Sequence, residues 1–534
     1  MWYRYSQEIN NLNIPIPEVL QKILSEIKKQ NGTGYLVGGI VRDSLFNQIH
    51  KTNFKPKDYD VEVFRLPYEK LIEILSKFGD VSEVGKSFGV IKLNAGGEDY
   101  DFSLPRTESK SGQKHQDFAI KSNPNLSEKE AASRRDVTIN SILYDPLTNN
   151  LIDNYNGIED IKNKTLKHTS DAFAEDPLRV LRLLSLGSRF GLSLAPETAQ
   201  LANSIREEYK HLPKERIYEE FKKLVTKGIE PGKALDFLYT TGWSENFPEI
   251  HNLKDTPQEP EYHPEGNVDV HTAHVMNEAA QIADRENLSP QDREVLIYAA
   301  LAHDFAKPDT TAIINKKGID RITSHGHEEQ GGPKAEAFLK SIGAPKNIID
   351  KVVPLVQFHL SHIHHSNTPK QEAYVKSLAE KIHPANIRML ELLIEADHSG
   401  RPPLPKELPK EAREMSELAK QYNVYEGKHP DLLQGKDIMP YLDNKGGPII
   451  GEILREHRNL ILKHDPAMES RESALAWLDR RMKREVGLID GNDIMNIMGL
   501  TGPAIKPMLD EAWRAQRMGK FNTKEGALEW LKQQ

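Results

Sequence analysis

The chain has 534 residues, too many for one hydrophobic core and enough for about three to five domains. Its 38% hydrophobic and 28% charged content fit a globular chain, and no stretch reaches the roughly 18 apolar residues of a membrane span. Cysteine is absent, which excludes disulfides and thiolate metal sites, and a net charge of −8 argues against indiscriminate coating of nucleic acid, so any such site must be local.

The N-terminal "MWYRYSQEINNLNIPIPEVL" has neither the basic start nor the apolar core of a secretory signal, and a cytoplasmic protein without a membrane segment is expected. A helix over 17–30 is followed by β-rich runs, "GYLVGG", "DYDVEVF", "FGVIKLN", "EDYDFSL" and "NLIDNY", which predict a small mixed-sheet α+β domain over 1–165. From "EDPLRVLRLLSLGSRFG" (175–191) helical periodicity takes over, giving a helical neck over 166–255. "KDTPQEPEYHPEGN" (254–267) breaks that periodicity and reads as a linker. A His-rich helical domain is expected over 256–405, up to the proline-punctuated "GRPPLPKELPKEARE" (400–414). Over 406–534 the chain repeats itself. "QGKDIMPYLDNKGGPIIGEIL...ALAWL" (434–478) and "DGNDIMNIMGLTGPAIKPML...ALEWL" (490–531) share their elements in one order, which predicts duplication of a helical unit of roughly 45–55 residues.

Within "KDYDVEVF" (57–64), Asp58, Asp60 and Glu62 occupy every second position, so a strand would turn them to one face, about 6.5–7 Å apart. Asp is a poor strand former, so two of them need a solvated face or a compensating cation. Read alone, the solvated face suffices. The context adds "YLVGGIVRD" (35–43), whose Gly38 and Gly39 let backbone amides approach a phosphate, and "GEDYDFSLPR" (97–106), where Asp99 and Asp101 again alternate. Together these are the parts that hold magnesium on a triphosphate, since magnesium takes one or two carboxylates plus phosphate oxygens. Glu62 is expected to be solvent-facing or supporting.

Several blocks then occur in order: "LVGGIVRD", "DYD", "RRDVTINSILYDP" (134–146), "LIDNYNGIEDI" (151–161), "AEDPLRVLR" (174–182) and "LPKERIYEEF" (212–221). With them the chain resembles the class II tRNA nucleotidyltransferases, the CCA-adding enzymes and their bacterial poly(A) polymerase relatives. The resemblance implies a nucleotidyltransferase head of the polymerase-β type, with Asp58 and Asp60 holding catalytic Mg2+ and Asp101 in the place of a third carboxylate. It places Gly38, Gly39, Arg42, Arg135, Asp136 and Asn140 at the nucleotide, the "RRD" block at its ribose. It also implies tRNA 3′ ends, CTP and ATP as partners.

"EDPLR" is first of all a helix opening, with Asp176 as the cap and Pro177 at the first helical position. Arg179 lies one turn in, so a carboxylate and a guanidinium could both face a base. The carboxylate accepts from the exocyclic amine of cytosine or adenine and is repelled by the carbonyls of uracil and guanine. By the resemblance, Glu175, Asp176 and Arg179 select C and A, and Arg216 supports that helix. The polar stretch "PRTESKSGQKHQDFAI" (105–120), including Arg106, reads as a mobile loop of the kind the family uses when switching from C to A addition.

"VDVHTAHVM" (268–276), "LAHDFAKP" (301–308), "SHGHEEQG" (324–331), "VQFHLSHIHH" (356–365) and "EADHSGR" (395–401) scatter His and Asp through helices. The pair His303–Asp304, accompanied by His271 and Asp397, is similar to an HD phosphohydrolase domain. That similarity nominates these four as ligands of a divalent transition metal, with His325, His327 and His359 as further candidates. The combined reading is template-independent CCA addition to tRNA with an appended phosphohydrolase. Poly(A) synthesis, addition of A alone, and a phosphohydrolase with an RNA-binding N-terminal adaptor are the alternatives.

Overall fold

The computed structural model describes residues 12, 14–55, 58–84, 90–110, 118–316, 318–429, 431–442, 448–462, 470–485, 487–517 and 520–534. They form two compact units, 1–361 with 389–412, and 362–388 with 413–534.

The first unit begins with helix α1 (Glu18–Lys29), which turns Leu20, Ile23, Leu24 and Ile27 inward at helical spacing. A seven-stranded sheet follows, from β1 (Thr33–Val37), β2 (Tyr59–Phe64), β3 (Asp80–Val84), β4 (Val90–Ala95), β5 (Glu98–Ser103), β8 (Leu143–Asp145) and β9 (Asn150–Ile152), in the order β3-β4-β5-β2-β1-β8-β9. Helices α2 (Gly39–His50), α3 (Tyr68–Leu75) and α4 (Glu128–Ser133) interrupt it in sequence. Val61, Val63, Phe64, Ile91, Leu93, Tyr100 and Phe102 are buried in the sheet, each side chain contributing about 1.5–3 kcal/mol of transfer free energy. The pair β2 and β5 is parallel and sets Asp60 opposite Asp101. Where a loop is expected at 105–120, β6 (Arg106–Lys110) and β7 (Phe118–Ser122) form an antiparallel ribbon; the part of that expectation on 111–117 lies outside the described residues.

The unit continues through α5 (Gly157–Lys162), a short parallel pair β10 (Thr165–Leu166) and β11 (Ser193–Leu194), and helices α6 (Leu178–Phe190), α7 (Pro196–Ser204), α8 (Lys214–Lys227), α9 (Lys233–Thr240) and α10 (Pro248–His251). Gly187 lets α6 meet α9 closely, because a Cβ there would come within 2.4 Å of the Phe237 ring. Helices α11 (Val268–Arg285), α12 (Pro290–Ala302), α13 (Lys307–Thr310), α14 (His327–Ser341) and α15 (Lys346–Gln357) build the His-rich region. The buried Arg293 joins α12 to the end of α8, donating to the carbonyls of Val225 at 3.2 Å and Gly228 at 2.7 Å. Within this largely helical region, β12 (Thr311–Lys316) and β13 (Ile319–Ser324) make a hairpin. β-Branched residues on both sides of "NKKG", Thr311, Ile313 and Ile314 before it and Ile319, Ile322 and Thr323 after it, carry that signal in the sequence.

In the second unit the two sequence copies fold alike. Gln434 with Asp437, and Asp490 with Asp493, form matching capping boxes. Ile438, Ala474 and Leu478 are buried in one core, and their counterparts Ile494, Ala527 and Leu531 in another. Arg471 donates to Asp437 at 2.7 Å, and Lys524 holds Asp493 in the same way.

Candidate active sites

Adjacent parallel strands put register partners on one face, so Asp60 and Asp101 stand side by side. Burial raises the Asp60 pKa, and the charges of Asp101 and Asp58 add to the rise against the opposing Arg135. A carboxylate raised in this way gains from a cation beside it. Asp58, just before β2, is exposed, and Asp101 meets Lys92 at 3.4 Å. The donor set is all carboxylate oxygen, which fits a hard divalent ion such as magnesium.

Glu62 lies on the same face as Asp60 but is fully buried, which removes the solvent-facing option and leaves the supporting one. Arg134 and Arg135 reach it at 2.7 and 3.0 Å. Burial works against the Glu62 carboxylate, but the two guanidiniums outweigh it and lower its pKa. The acidic strand therefore does two things: its outer end presents paired anions, and its inner carboxylate anchors the arginines of the "RRD" block.

Beside this face opens a cleft of about 480 Å³. Gly38 forms its edge with φ 71°, a backbone conformation that glycine adopts without strain. A Cβ on Gly38 would lie 3.6 Å from Asp60 Oδ2, so the carboxylates border the cleft at this point. Gly38, Gly39, Arg42, Arg106, Arg135, Asp136, Asn140, Asp176 and Arg179 line it; Glu175 and Arg216 are outside that lining, and Arg216 is exposed on α8. Arg134, Arg182, Arg189 and Glu220 also line the cleft and were not singled out from the sequence. Seven arginines and two lysines face three carboxylates there, an excess of cations suited to a polyphosphate.

A polar chain runs through the cleft wall. Arg189 donates to Asp43 at 2.7 Å, and Arg42 donates to Asp43 at 2.8 Å and to Asn140 Oδ1 at 2.7 Å. Asn140 donates to Asp136 at 2.9 Å, and Arg182 donates to the other Asp136 oxygen at 3.0 Å. Burial opposes the Asp136 charge, yet Arg182 and Asn140 hold its pKa low. The Phe190 ring lies under both Arg42 and Arg189, at 4.7 and 4.8 Å from its centroid. This chain ties α2 to α6. At the start of α6, Asp176 Oδ1 accepts from the Leu178 amide at 3.1 Å, a capping bond. Arg179 donates to the carbonyls of Ala172 at 2.8 Å and Arg134 at 2.7 Å, which fixes its guanidinium in the wall with Nε 4.0 Å from Asp176 Oδ2.

The second site is built of histidines. His271 on α11 is wholly buried, its Nε2 3.1 Å from Asp397 Oδ1, 3.4 Å from His303 Nε2 and 3.8 Å from Asp304 Oδ2. Across Asp304, His327 Nε2 lies 3.4 Å from Oδ1 and 3.2 Å from His359 Nε2. Asp304 thus belongs to two donor groups, one with His271 and His303 and one with His327 and His359. His325 is exposed and belongs to neither. His303, His327 and His359 each set Nδ1 against the carbonyl three residues back, at 2.8, 2.6 and 2.6 Å. A proton on Nδ1 satisfies those carbonyls and leaves the Nε2 lone pairs turned inward.

Burial, reinforced by His327 and His303, pushes His359 down to about 3, which keeps its imidazole neutral. Asp304 is held well below the usual range, against burial, by His303 and Lys307, the latter at 2.7 Å. Burial disfavours a charged His271, but hydrogen bonds to Asp397 and Glu265 lift it to about 9. Imidazole with carboxylate suits a divalent transition metal. The predicted linker takes part: Gln258 is buried and accepts from Lys307 at 2.7 Å.

A carboxylate-bearing parallel strand pair beside an arginine-rich cleft, with a separate His/Asp centre on helices, defines a nucleotidyltransferase head joined to an HD-type domain. Residues 34–167 match the family model described as "Poly A polymerase head domain", 191–254 "Probable RNA and SrmB- binding site of polymerase A", and 268–418 "HD domain". The chain is 31% identical over 376 residues to a "Multifunctional CCA protein" of Hahella chejuensis, covering 69% of this chain and 82% of the relative. It is 33% identical over 378 residues to a protein of that name from Mannheimia succiniciproducens, covering 69% and 84%. A crystal structure of the Bacillus stearothermophilus CCA-adding enzyme in complex with CTP shares the fold, with TM-score 0.55, 19% identity, and coverage of 87% of this chain and 98% of that one. The chain belongs to the multifunctional CCA proteins, tRNA nucleotidyltransferases that carry an HD domain. Among the described residues, no helix is long and apolar enough to cross a membrane.

Proposed function

We propose that this protein rebuilds the CCA end of tRNA in the cytoplasm, adding C, C and A from CTP and ATP without a nucleic-acid template, and that its HD centre hydrolyses phosphoesters. The observation that carries the transferase reading is the register pairing of Asp60 with Asp101 beside the Gly38 edge of the arginine-rich cleft. Magnesium held by Asp58, Asp60 and Asp101 would supply charge neutralisation for in-line attack of the tRNA 3′ hydroxyl on the α-phosphate, in which the hydroxyl gives up its proton, the α–β anhydride bond breaks and pyrophosphate leaves. The Gly38 and Gly39 backbone together with Arg42 bind the phosphates. Arg135, Asp136 and Asn140 hold the ribose. Asp176 accepts from the amine of C or A, and Arg179 donates to the ring acceptor, so recognition comes from two side chains rather than a template.

At the second centre, a divalent transition metal held by His271, His303, Asp304 and Asp397 would supply Lewis-acid activation of a phosphoester for hydrolysis. His327 and His359 complete a second position about Asp304. Extension of tRNA ending at its discriminator nucleotide, with products sequenced, tests the main reading. The expected product is C, C, A in that order; repeated A without C, or no incorporation from CTP, overturns it.

A further inference from the structure

Four buried histidines converge on the HD centre, and three of them take their orientation from a backbone carbonyl three residues earlier. His271 differs. Its Nδ1 lies 2.8 Å from Glu265 Oε1, with the Gly400 carbonyl a longer 3.3 Å away. Glu265 comes from the irregular segment before α11, and its side chain is 1% exposed. The same Oε1 lies 2.9 Å from Nδ1 of His263, whose ring meets that of His271 edge to face at 4.7 Å. A carboxylate so placed is too costly to bury for packing alone and needs polar partners.

We propose that Glu265 is a positioning residue for the metal centre. It accepts a hydrogen bond from the His271 Nδ1–H, fixes the ring and its tautomer, and thereby turns the Nε2 lone pair toward Asp397, His303 and Asp304. A carboxylate acceptor also makes the imidazole a stronger donor than a carbonyl does, so His271 is the ligand whose affinity depends most on its partner. His263 Nδ1 holds Glu265 through the same oxygen. The inference rests on the metal-binding reading of this site.

The test uses the full chain and Co2+, titrated by calorimetry and by its visible absorption; the site in question is the one lost in Asp304→Ala. Glu265→Ala is expected to weaken Co2+ about 10–100-fold and to alter the absorption bands. Glu265→Gln, whose amide oxygen still accepts from Nδ1, is expected to fall between the two, about 3–10-fold weaker than the parent and with its bands restored. Unchanged affinity in both variants overturns the proposal, as does a Gln variant no better than Ala. Where Ala fails to fold, the Gln variant decides: parental affinity overturns, the intermediate loss supports. If the parent chain has no Co2+ site sensitive to Asp304→Ala, the metal reading itself falls, and this inference with it. Nucleotide incorporation should be unaffected in both Glu265 variants.

Discussion

The two centres of the first unit solve one problem, holding cations, in opposite ways. At the sheet, Asp58 and Asp60 stand at the start of β2 and Asp101 within β5, the Asp60 pKa is raised by burial and by its acidic neighbours, and the cleft beside them has room for phosphate oxygens. At the HD centre, buried side chains from widely separated segments supply the shell from the protein alone, with cations already lowering the Asp304 pKa. On the proposed reading, the first site depends on substrate to be complete, whereas the second is nearly complete before any substrate arrives. Losing a ligand should therefore abolish chemistry at the sheet with little effect on folding, and should abolish metal retention at the histidines.

The largest effect separates the two directly. Asp60→Ala should lower nucleotide incorporation by about 10³-fold or more, since it removes one of the three carboxylates proposed to hold the ion that neutralises the reacting phosphate. Phosphoester hydrolysis by the same preparation should be unchanged. Retained incorporation would show that the acidic strand end is a solvated face and nothing else.

Glu62 tests whether the sheet site also has a buried half. Replacing it with Gln leaves Arg134 and Arg135 without their shared anion, which should destabilise the protein by about 3–5 kcal/mol at neutral pH in a urea titration. Its folded pKa is depressed, so its contribution is present above the unfolded value of 4.5 and lost as pH falls through the folded one. The parent should therefore lose this stability on acidification below that value, and Glu62→Gln should show a correspondingly flatter acid limb.

Asp304→Ala addresses the other centre. Because this one carboxylate belongs to both donor groups, its removal should weaken transition-metal binding by more than about 100-fold, beyond what an outer partner contributes. CCA addition should persist. Metal retained at parental affinity would mean that the histidines bind independently of the shared aspartate.

The centres also differed in how much of them could be read in advance. Asp58, Asp60 and Asp101 stand out because a strand repeats every two residues, and a polar residue in that rhythm is conspicuous. The HD ligands come from separated stretches, and only the adjacent His303–Asp304 pair makes them visible. What escaped has physical reasons. Arg182 follows Arg179 by three residues on an amphipathic helix, and Glu220 sits within "YEEF", so both resemble an ordinary solvated face until α6 and α8 pack together. The segment 254–267 carries no periodicity, so burial of Gln258 and Glu265 left no pattern to read. The hairpin at 311–324 lies inside a run of helices, and its β-branched residues flank the turn without a strict alternation to mark it.

The smallest expected effect concerns a carboxylate used neither as a metal ligand nor as an anchor. Asp176 caps α6 through the Leu178 amide, so geometry alone is compatible with a purely structural residue. Asp176→Asn separates the two readings, because Asn caps a helix about as well as Asp and should leave the unfolding midpoint nearly unchanged. It differs in chemistry at the base: the amide nitrogen donates where the carboxylate could only accept, so the carbonyls of uracil and guanine are no longer repelled. Discrimination against UTP and GTP, measured as the ratio of kcat/KM values on tRNA, should fall by about 10–100-fold, in line with roughly 1–3 kcal/mol for one such contact. Incorporation of C and A should remain, because the carboxylates proposed to hold the metal are untouched. Unaltered discrimination in a normally stable Asn variant would reduce Asp176 to a helix cap and move base selection elsewhere in the cleft.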